Sequence, residues 1–266
     1  MYGASIRPCG GHMRVPVSIV IPTRNEEAQI AQCVRDLGWA DEVLVADGGS
    51  SDATVALARE AGALVMENAG ATIAAQRNAA IERARNSWVF ALDADERFTE
   101  ALRDEVARTV AAPQHNAYRV RRRNFYLGRE LTRGHWGHDW VTRLFPRDRR
   151  FVNLRVHEHL EQLPDVGWLS APLLHIPYRD LQHQLEKMNR FALWGAEELY
   201  EQGQRASAWG LLSRPVGRFL KAYLLQGAIA DGRSGLVSSI LGGYTAFLKQ
   251  AHLWALEAAR GTGPGN

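Results

Sequence analysis

Positions 88–97 read Trp-Val-Phe-Ala-Leu-Asp-Ala-Asp-Glu-Arg, an apolar run that stops at two carboxylates, Asp93 and Asp95. A short apolar run of this kind predicts a buried strand. An unpaired charge inside such a strand costs several kcal/mol, so we expect both carboxylates at its carboxyl end, where open α/β sheets bind their ligands. Two carboxylates at this spacing suit a hard divalent cation that completes its coordination with water and substrate phosphates.

The residues before this stretch alternate between strand patterns and helix patterns. Strand patterns fall on residues 17–21, 42–46, 63–66 and 88–92, and helical spacing of apolar residues falls on residues 28–37, 53–61 and 75–85. This alternation predicts an α/β fold with a mostly parallel, doubly wound sheet.

Polar residues follow three of these strands at the points where they end. Pro22 ends the first strand because it cannot donate to a sheet ladder, and Asp47 ends the second. The two glycines after Asp47 let the backbone turn and approach a ligand. Together with the acidic pair after the fourth strand, these ends predict one shared ligand site. Helix capping accounts for the other polar residues nearby: Asn25, Glu27, Ser50, Ser51 and Asp52.

The chain carries four ordered motifs, at residues 17–27, 45–54, 75–80 and 92–97. They read Val-Ser-Ile-Val-Ile-Pro-Thr-Arg-Asn-Glu-Glu, Val-Ala-Asp-Gly-Gly-Ser-Ser-Asp-Ala-Thr, Ala-Gln-Arg-Asn-Ala-Ala and Leu-Asp-Ala-Asp-Glu-Arg. In this order they resemble the signatures of family 2 glycosyltransferases. The resemblance implies a GT-A nucleotide-diphospho-sugar transferase fold with a C-terminal helical appendage. It also implies inverting transfer from a nucleotide sugar, usually a UDP-sugar, with Mg²⁺ or Mn²⁺ between the protein and the diphosphate.

Further motifs resemble the subgroup of lipopolysaccharide-core β-1,4-glucosyltransferases: Arg123–Gly128, Arg143–Arg147, Val156–Glu158, Pro172–His175 and Tyr178–Leu181. This resemblance implies transfer of a hexose, glucose from UDP-glucose, onto a lipopolysaccharide-core or related cell-envelope glycan. Two alternatives stay open. One is a polyprenyl-phosphate sugar transferase, whose acceptor is already ionised and needs no base. The other is a non-catalytic nucleotide- or glycan-binding protein on the same scaffold.

The resemblance also assigns roles to individual residues of the donor site. It places around the nucleoside and phosphates Pro22, Thr23, Glu26, Asp47, Arg77 and Asp93. Within this set, Asp47 would hydrogen-bond the uracil ring, and Arg77 would lie near the base and phosphate, where a guanidinium can pair with phosphate. Asp95 would coordinate the metal, and His157 would be a further metal ligand, since imidazole suits Mn²⁺.

Inverting transfer also needs a base that takes the proton of the acceptor hydroxyl, and a positioned base contributes about 10²–10⁴ in rate. The candidates are Asp139, in a glycine- and aromatic-rich loop, and the cluster His157, Glu158 and His159. Asp139 is preferred, with Glu158 as the rival. Glu158 is nearly as well explained as a hydrogen-bond partner of His157. The remaining histidines are interpreted as structural or surface residues: His115, His135, His175, His183 and His252.

Length and composition favour one catalytic unit with an appendage. The 266 residues divide into a disordered extension (1–13), a GT-A catalytic domain (14–180), an amphipathic helical region (181–258) and a disordered tail (259–266). The two cysteines show neither disulfide-framework nor metal-site spacing, which indicates a reducing cytosol. No secretory leader pattern is recognised at the N-terminus.

Charge and amphipathicity predict the partners. Residues 115–160 hold eleven arginines against four acidic residues, but no recognisable nucleic-acid module surrounds them. We therefore expect an acidic, lipid-linked glycan acceptor or an anionic membrane surface, and no nucleic acid. Residues 215–231 read as a basic amphipathic helix, and residues 236–256 contain too many polar residues for a span. These features predict a cytoplasmic protein that binds peripherally to the inner membrane. The alternative is that these helices pack on the sheet domain or form a contact between subunits of an oligomer.

Overall fold

The computed structural model of the chain describes residues 14–70, 72–152 and 159–261. Its strands are β1 (Val15–Thr23), β2 (Ala40–Asp47), β3 (Leu64–Met66), β4 (Trp88–Ala91), β5 (Glu96–Phe98), β6 (Ala117–Tyr126), β7 (Arg129–Leu131), β8 (Trp140–Pro146), β9 (Val166–Trp168) and β10 (Leu173–His175). Its α-helices are α1 (Ile30–Arg35), α2 (Thr54–Glu60), α3 (Ile73–Arg83), α4 (Glu100–Ala111), α5 (Leu181–Glu201), α6 (Ala208–Leu220) and α7 (Gly232–Gly261). Short 3₁₀ or π turns occupy Gly134–Trp136, Lys221–Leu225 and Ala228–Asp231.

The sheet has the strand order β3-β2-β1-β4-β8-β6-β10-β5, with β7 and β9 also paired to β6. Its first four strands are parallel, and they are the strands predicted from residues 17–92. β8 then runs antiparallel to both β4 and β6, because β6 is joined to β8 through β7 and a 3₁₀ turn without a crossover helix. The predicted α/β fold of GT-A type, with helices at the C-terminus, is confirmed.

Alternate residues of β1 face two apolar layers. Ile19 and Ile21 pack with residues of α1, α2 and α4, whereas Val20 packs with residues of α3 on the opposite face. The Cys33 thiol lies in the first of these layers, and burial raises its pKa to about 12, so it packs as a small apolar group. β1 is therefore covered on both faces, and its carboxyl end opens at the same edge as those of β2 and β4.

The C-terminal elements differ in part from their predicted positions. The helix predicted from residue 181 is confirmed as α5, but the helix predicted over 215–231 is wrong. α6 begins earlier because Ser207 Oγ accepts a hydrogen bond from the Gly210 N–H at 3.0 Å, which caps the helix there and leaves Pro215 in its interior. α7 continues to Gly261, three residues into the predicted tail. Phe151 forms an isolated bridge with Leu160, and residues 153–158 lie outside the described residues.

The helical appendage contacts the sheet domain directly. The carboxylate of Asp231 accepts hydrogen bonds from Thr132 and from the backbone N–H of Arg133 at 2.9–3.3 Å. Trp136 Nε1 donates to Ser238 Oγ at 3.0 Å. These bonds hold the start of α7 beside the loop between β7 and β8. Within the described residues, no helix is both long enough and apolar enough to cross a membrane.

Candidate active site

A cavity of about 1060 Å³ opens where the carboxyl ends of β1 and β4 meet the helical appendage. Six of the predicted site residues line it: Pro22, Thr23, Glu26, Arg77, Asp93 and Asp95. Asp47 and Asp139 are the described members of the predicted set that do not. His157 and Glu158, the predicted metal ligand and the rival base, lie outside the described residues.

The Asp93 carboxylate is held between two guanidinium groups. Arg77 Nη2 donates to Asp93 Oδ1, and Arg143 Nη2 donates to Asp93 Oδ2. Burial alone would raise the pKa of Asp93, but the charges of Arg143 and Arg77 outweigh it and hold that pKa well below its usual range. Asp93 is therefore a fixed anion whose oxygens are both engaged by the protein.

Arg143 also binds Glu96, whose side chain is fully buried. Arg122 Nη1 lies 3.2 Å from the same Glu96 oxygen. These contacts extend the ion pair of Asp93 into a network that ties β4, β5, β6 and β8 together. Arg143 is not among the site residues predicted from the sequence, although an arginine inside an apolar strand indicates a buried charge that must be paired.

Asp95 is bound by two cationic or titratable groups that its local sequence does not reveal. Lys187 Nζ donates to Asp95 Oδ2 at 2.9 Å, and His175 Nε2 lies 3.6 Å from Oδ1. Burial raises the pKa of Asp95, but the Lys187 ammonium and the hydrogen bond with His175 lower that pKa by a larger amount. The carboxyl group therefore stays ionised. Lys187 lies on α5, 92 positions along the chain, and only the folded structure brings it here.

These contacts determine how a divalent cation could fit. Both oxygens of Asp93 accept from arginines, so Asp95 is the carboxylate of the pair that can offer an oxygen. No cluster of three or more His, Cys, Asp or Glu side chains is placed to hold a metal among the described residues. Mg²⁺ is commonly held by one or two carboxylates together with substrate phosphates. Asp95 and a bound diphosphate therefore fit such an ion if the Lys187 ammonium moves off Oδ2.

Asp139 lies beside this network with both oxygens engaged. Arg122 Nε and Nη2 each donate to it at 2.9 Å, and Asn124 Nδ2 donates at 3.1 Å. The other end of Asn124 shares a hydrogen bond with His175 Nδ1 at 2.6 Å. The bidentate pairing with Arg122 fixes the orientation of the Asp139 carboxylate beside the network.

The loops after β1 and β2 are joined by side chains that the sequence analysis interprets as helix caps. Asp52 accepts from the Glu27 N–H at 3.2 Å and from the Thr54 N–H at 3.1 Å, so it joins the start of α2 to the first loop, although the N-cap residue of α2 is Ala53. Asn25 does not cap α1; its Oδ1 accepts from the Ser51 N–H at 2.9 Å instead. The joined loops form one wall beside the cavity.

Asp47 and Thr23 lie at the adjacent ends of β2 and β1. Asp47 Oδ2 accepts from the N–H groups of Gly49 and Ser50 at 2.8 and 2.9 Å, and Oδ1 accepts from the Ser50 hydroxyl. A carboxylate offers about four lone-pair positions, so one acceptor position on Oδ1 remains for a ligand. Thr23 Oγ1 is buried with no hydrogen-bond partner among the described residues, and Thr23 lines the cavity.

These features define a sheet of GT-A type with an ionised acidic pair in a ligand-sized cavity. The chain belongs to glycosyl transferase family 2, whose family model matches residues 18–160. It is 30% identical over 256 residues to the lipopolysaccharide core biosynthesis glycosyltransferase LpsC of Rhizobium meliloti, covering 93% of this chain and 95% of that protein. An uncharacterised glycosyltransferase of Rickettsia typhi is 28% identical over 257 residues, covering 91% of this chain and 87% of that protein.

Solved structures are similar at lower identity. S. aureus TarS, crystallised in complex with UDP-GlcNAc, is 15% identical, with 95% of this chain and 93% of that chain covered and a TM-score of 0.49. Glucosyl-3-phosphoglycerate synthase of Mycobacterium tuberculosis, in complex with Mn²⁺, UDP-glucose and phosphoglyceric acid, is 20% identical over 41% of this chain and 43% of that chain, with a TM-score of 0.35.

Proposed function

We propose that this family 2 glycosyltransferase is an inverting enzyme that moves a hexose from a UDP-sugar, with UDP-glucose as donor, onto a lipopolysaccharide-core or related cell-envelope glycan. The observation that carries the proposal is the cavity of about 1060 Å³ in which the Asp93 and Asp95 carboxylates meet cationic side chains. Its size exceeds that of most small-molecule sites and leaves room for a nucleotide sugar together with part of an acceptor.

The nucleoside is proposed to bind between the ends of β1 and β2. The unpartnered Thr23 hydroxyl and the remaining acceptor position on Asp47 are the polar groups that a uridine would satisfy. A buried hydroxyl without a partner costs free energy, which a bound ligand recovers. Pro22 and Glu26 line the same end of the cavity.

The diphosphate is proposed to lie near Arg77 and Lys187, because a doubly charged leaving group needs cations close to it. Mg²⁺ or Mn²⁺ held by Asp95 would neutralise the leaving diphosphate when bound. Arg143 keeps Asp93 ionised and fixed. Asp93 is proposed to face the ribose of the donor or the metal ion.

The base that accepts the acceptor proton is proposed to be Asp139 or Glu158. Asp139 is bound bidentately by Arg122, whereas Glu158 lies outside the described residues. Asp139 is the preferred candidate and Glu158 its rival, with His157 as the proposed additional metal ligand.

The proposed acceptor class is supported by the relative in Rhizobium meliloti, whose name places it in lipopolysaccharide core biosynthesis and which aligns along nearly the whole chain. The test is UDP release by the purified chain with UDP-glucose, UDP-galactose or UDP-GlcNAc, with Mn²⁺ or Mg²⁺. Each donor is offered with a core oligosaccharide, with a polyprenyl phosphate, or alone. We expect UDP from UDP-glucose only when the core oligosaccharide is present.

Two other results would replace this proposal. Turnover that needs the polyprenyl phosphate would make the protein a lipid-phosphate sugar transferase. Tight UDP binding without release from any donor would make it a binding protein on a transferase scaffold.

The protein is also proposed to act at the cytoplasmic surface of an anionic membrane. The C-terminal apolar face consists of exposed side chains on α6, the π turn and α7: Trp209, Leu212, Val216, Leu220, Leu224, Leu225, Leu236, Val237, Ile240, Tyr244 and Phe247. On α6 these positions recur every three or four residues, which places them on one stripe. Gly243 lets α7 approach α6 closely, since a Cβ there would lie 2.8 Å from Pro215 O, so the two stripes lie side by side.

Charge favours a membrane as the partner of this face. Residues 203–261 carry seven Lys or Arg residues against two Asp or Glu residues. An apolar face on a basic segment suits the interface of a bilayer with anionic headgroups. A second copy of the chain is the other partner that an apolar face could take.

Substitution of Trp209 and Leu225 by Glu tests this face, because these side chains are 76% and 83% exposed and contribute little to the core. We expect the double variant to bind phosphatidylglycerol vesicles at least about tenfold more weakly in a cosedimentation assay, since each buried apolar side chain contributes about 1.5–3 kcal/mol. Leu64→Glu is the matched control, because Leu64 is 54% exposed on β3, away from the face. Unchanged vesicle binding, or loss of a wild-type dimer in sedimentation velocity, would contradict the membrane assignment.

A further inference from the structure

The cavity continues from the acidic pair into a groove between α5 and α7. Its wall on α7 is formed by Ser238, Leu241, Gly242, Thr245, Ala246 and Lys249. These residues recur every three or four positions and therefore share one face of the helix. The facing wall on α5 includes Lys187, Phe191, Trp194 and Gly195 at the same kind of spacing. Two helix faces thus enclose a channel that leads away from the sheet.

The groove opens directly onto the proposed site of transfer. Trp136, which donates to Ser238 at the start of the groove, has its ring centroid 6.2 Å from the His175 ring. His175 in turn lies 3.6 Å from Asp95. From Lys187, which binds Asp95, to Gly195 the groove follows α5 for eight residues, or about 12 Å. A ligand along this path would reach the transfer site at one end.

Lys249 is the cation at the middle of this groove. It lies against α5 at Gly195, where a Cβ would come within 2.9 Å of Lys249 Nζ. Gly195 is therefore what gives the ammonium room inside the groove. No carboxylate of the described residues forms an ion pair with Lys249, in contrast to Lys187, whose ammonium binds Asp95. Glu197 and Glu201 line the cavity farther along α5 and limit the region suited to an anion to the stretch around Lys249.

The same stretch carries aromatic surface and a second cation. The Arg190 guanidinium lies 6.0 Å from the Phe191 ring centroid and 5.8 Å from that of Trp194. Flat aromatic faces pack against the apolar faces of sugar rings, and a lone ammonium in a partly closed groove attracts an anionic substituent. A purely apolar lipid chain would leave Lys249 buried beside it without a partner.

We propose that the groove between α5 and α7 is the acceptor site and that its ligand is a saccharide bearing a phosphate or carboxylate group, which pairs with Lys249. The proposal rests on the transferase function proposed above. The anionic group lies about 12 Å from the transfer site, so it belongs to a sugar beyond the one that receives the hexose. Trp194 packs against the intervening ring.

The test measures oligosaccharide binding by calorimetry with the full chain saturated in UDP. The probes are a deacylated core oligosaccharide carrying phosphate, the same oligosaccharide after phosphatase treatment, and an oligosaccharide carrying a uronate. Lys249→Met is expected to weaken a charged probe about tenfold, the loss of one charge-assisted hydrogen bond, and to leave the phosphatase-treated probe and UDP unaffected. The charged probe that shows this loss identifies the anion as phosphate or carboxylate.

Lys221→Met is the matched control, because Lys221 does not line the cavity, and it should bind every probe as the wild type does. Gly195→Ala is a second variant that leaves Lys249 in the chain but moves its flexible end aside, and it should weaken the same charged probe. Equal affinity of wild type and Lys249→Met for both charged probes would overturn the proposal. So would equal losses in the two lysine variants, since these would indicate a general effect of surface charge. UDP binding and donor turnover, measured separately, report on the transferase function itself.

Discussion

Asp95→Asn is expected to lower UDP-glucose turnover by about 10³-fold, the scale set by losing one preorganised electrostatic contact to a developing charge. The substitution keeps the size and shape of the side chain but removes its charge. Asp95 is the carboxylate of the pair with an oxygen that a divalent cation could share, because both oxygens of Asp93 are bound by arginines. The measurement is the initial rate of UDP release with Mn²⁺, together with UDP affinity in the absence of metal.

The matched control for this substitution is Asp148→Asn, which removes a carboxylate that is 70% exposed. It should leave turnover unchanged. Asp95→Asn should also lower the thermal transition, because it leaves the largely buried Lys187 ammonium without its carboxylate partner, so turnover is measured well below the transition of the variant. Turnover within about threefold of the wild type in the presence of Mn²⁺ would show that Asp95 neither holds a cation nor contributes to the transfer step.

Arg143→Met is expected to destabilise the fold by about 3–5 kcal/mol, the cost of removing one partner from a buried ion pair. Arg143 is 5% exposed and binds Asp93 and Glu96 at once. Its removal leaves the fully buried Glu96 and the Asp93 carboxylate with fewer cations around them. Methionine fills a similar volume, so the loss reports mainly on charge. The measurement is the free energy of unfolding in urea.

Arg59→Met provides the comparison, because its partner Glu67 and the guanidinium are both about half exposed. An exposed pair contributes about 0–1 kcal/mol, so this variant should unfold near the wild-type midpoint. Arg143→Lys should fall between the two, since an ammonium keeps the charge but cannot bridge two carboxylates with a planar fork. A loss below about 1 kcal/mol in Arg143→Met would show that the network is not a structural element of the site.

The parallel half of the sheet and the acidic pair could be predicted because their causes are local. A run such as Trp88–Leu92 is apolar over its whole length, and the carboxylates that follow cannot remain inside the strand. Periodicity of this kind depends on neighbours within a few positions. The same local reasoning wrongly places the start of α6 at Pro215. The helix begins earlier because the hydroxyl of Ser207 caps it.

The partners of the acidic pair could not be predicted because they come from distant parts of the chain. Arg143 reaches Asp93 from β8, and Lys187 and His175 reach Asp95 from α5 and β10. The sequence analysis interprets His175 as structural, and nothing in its local sequence distinguishes it from the other histidines. Its role follows only from the pairing of β10 with β5 and β6, which places it beside Asp95.

The amino-acid sequence alone settles the α/β class, the family and the strand ends that carry the donor site, because hydrophobic period and motif order act over short distances. The folded structure decides which charges meet at those ends, because the energy of an ion pair depends on the distance between the two charges in space. That energy becomes small when a few ångströms of water separate them. It also creates the groove between α5 and α7. Neither helix encloses a cavity by itself, and Lys249 acquires its place in the groove only where Gly195 of the other helix leaves room for it.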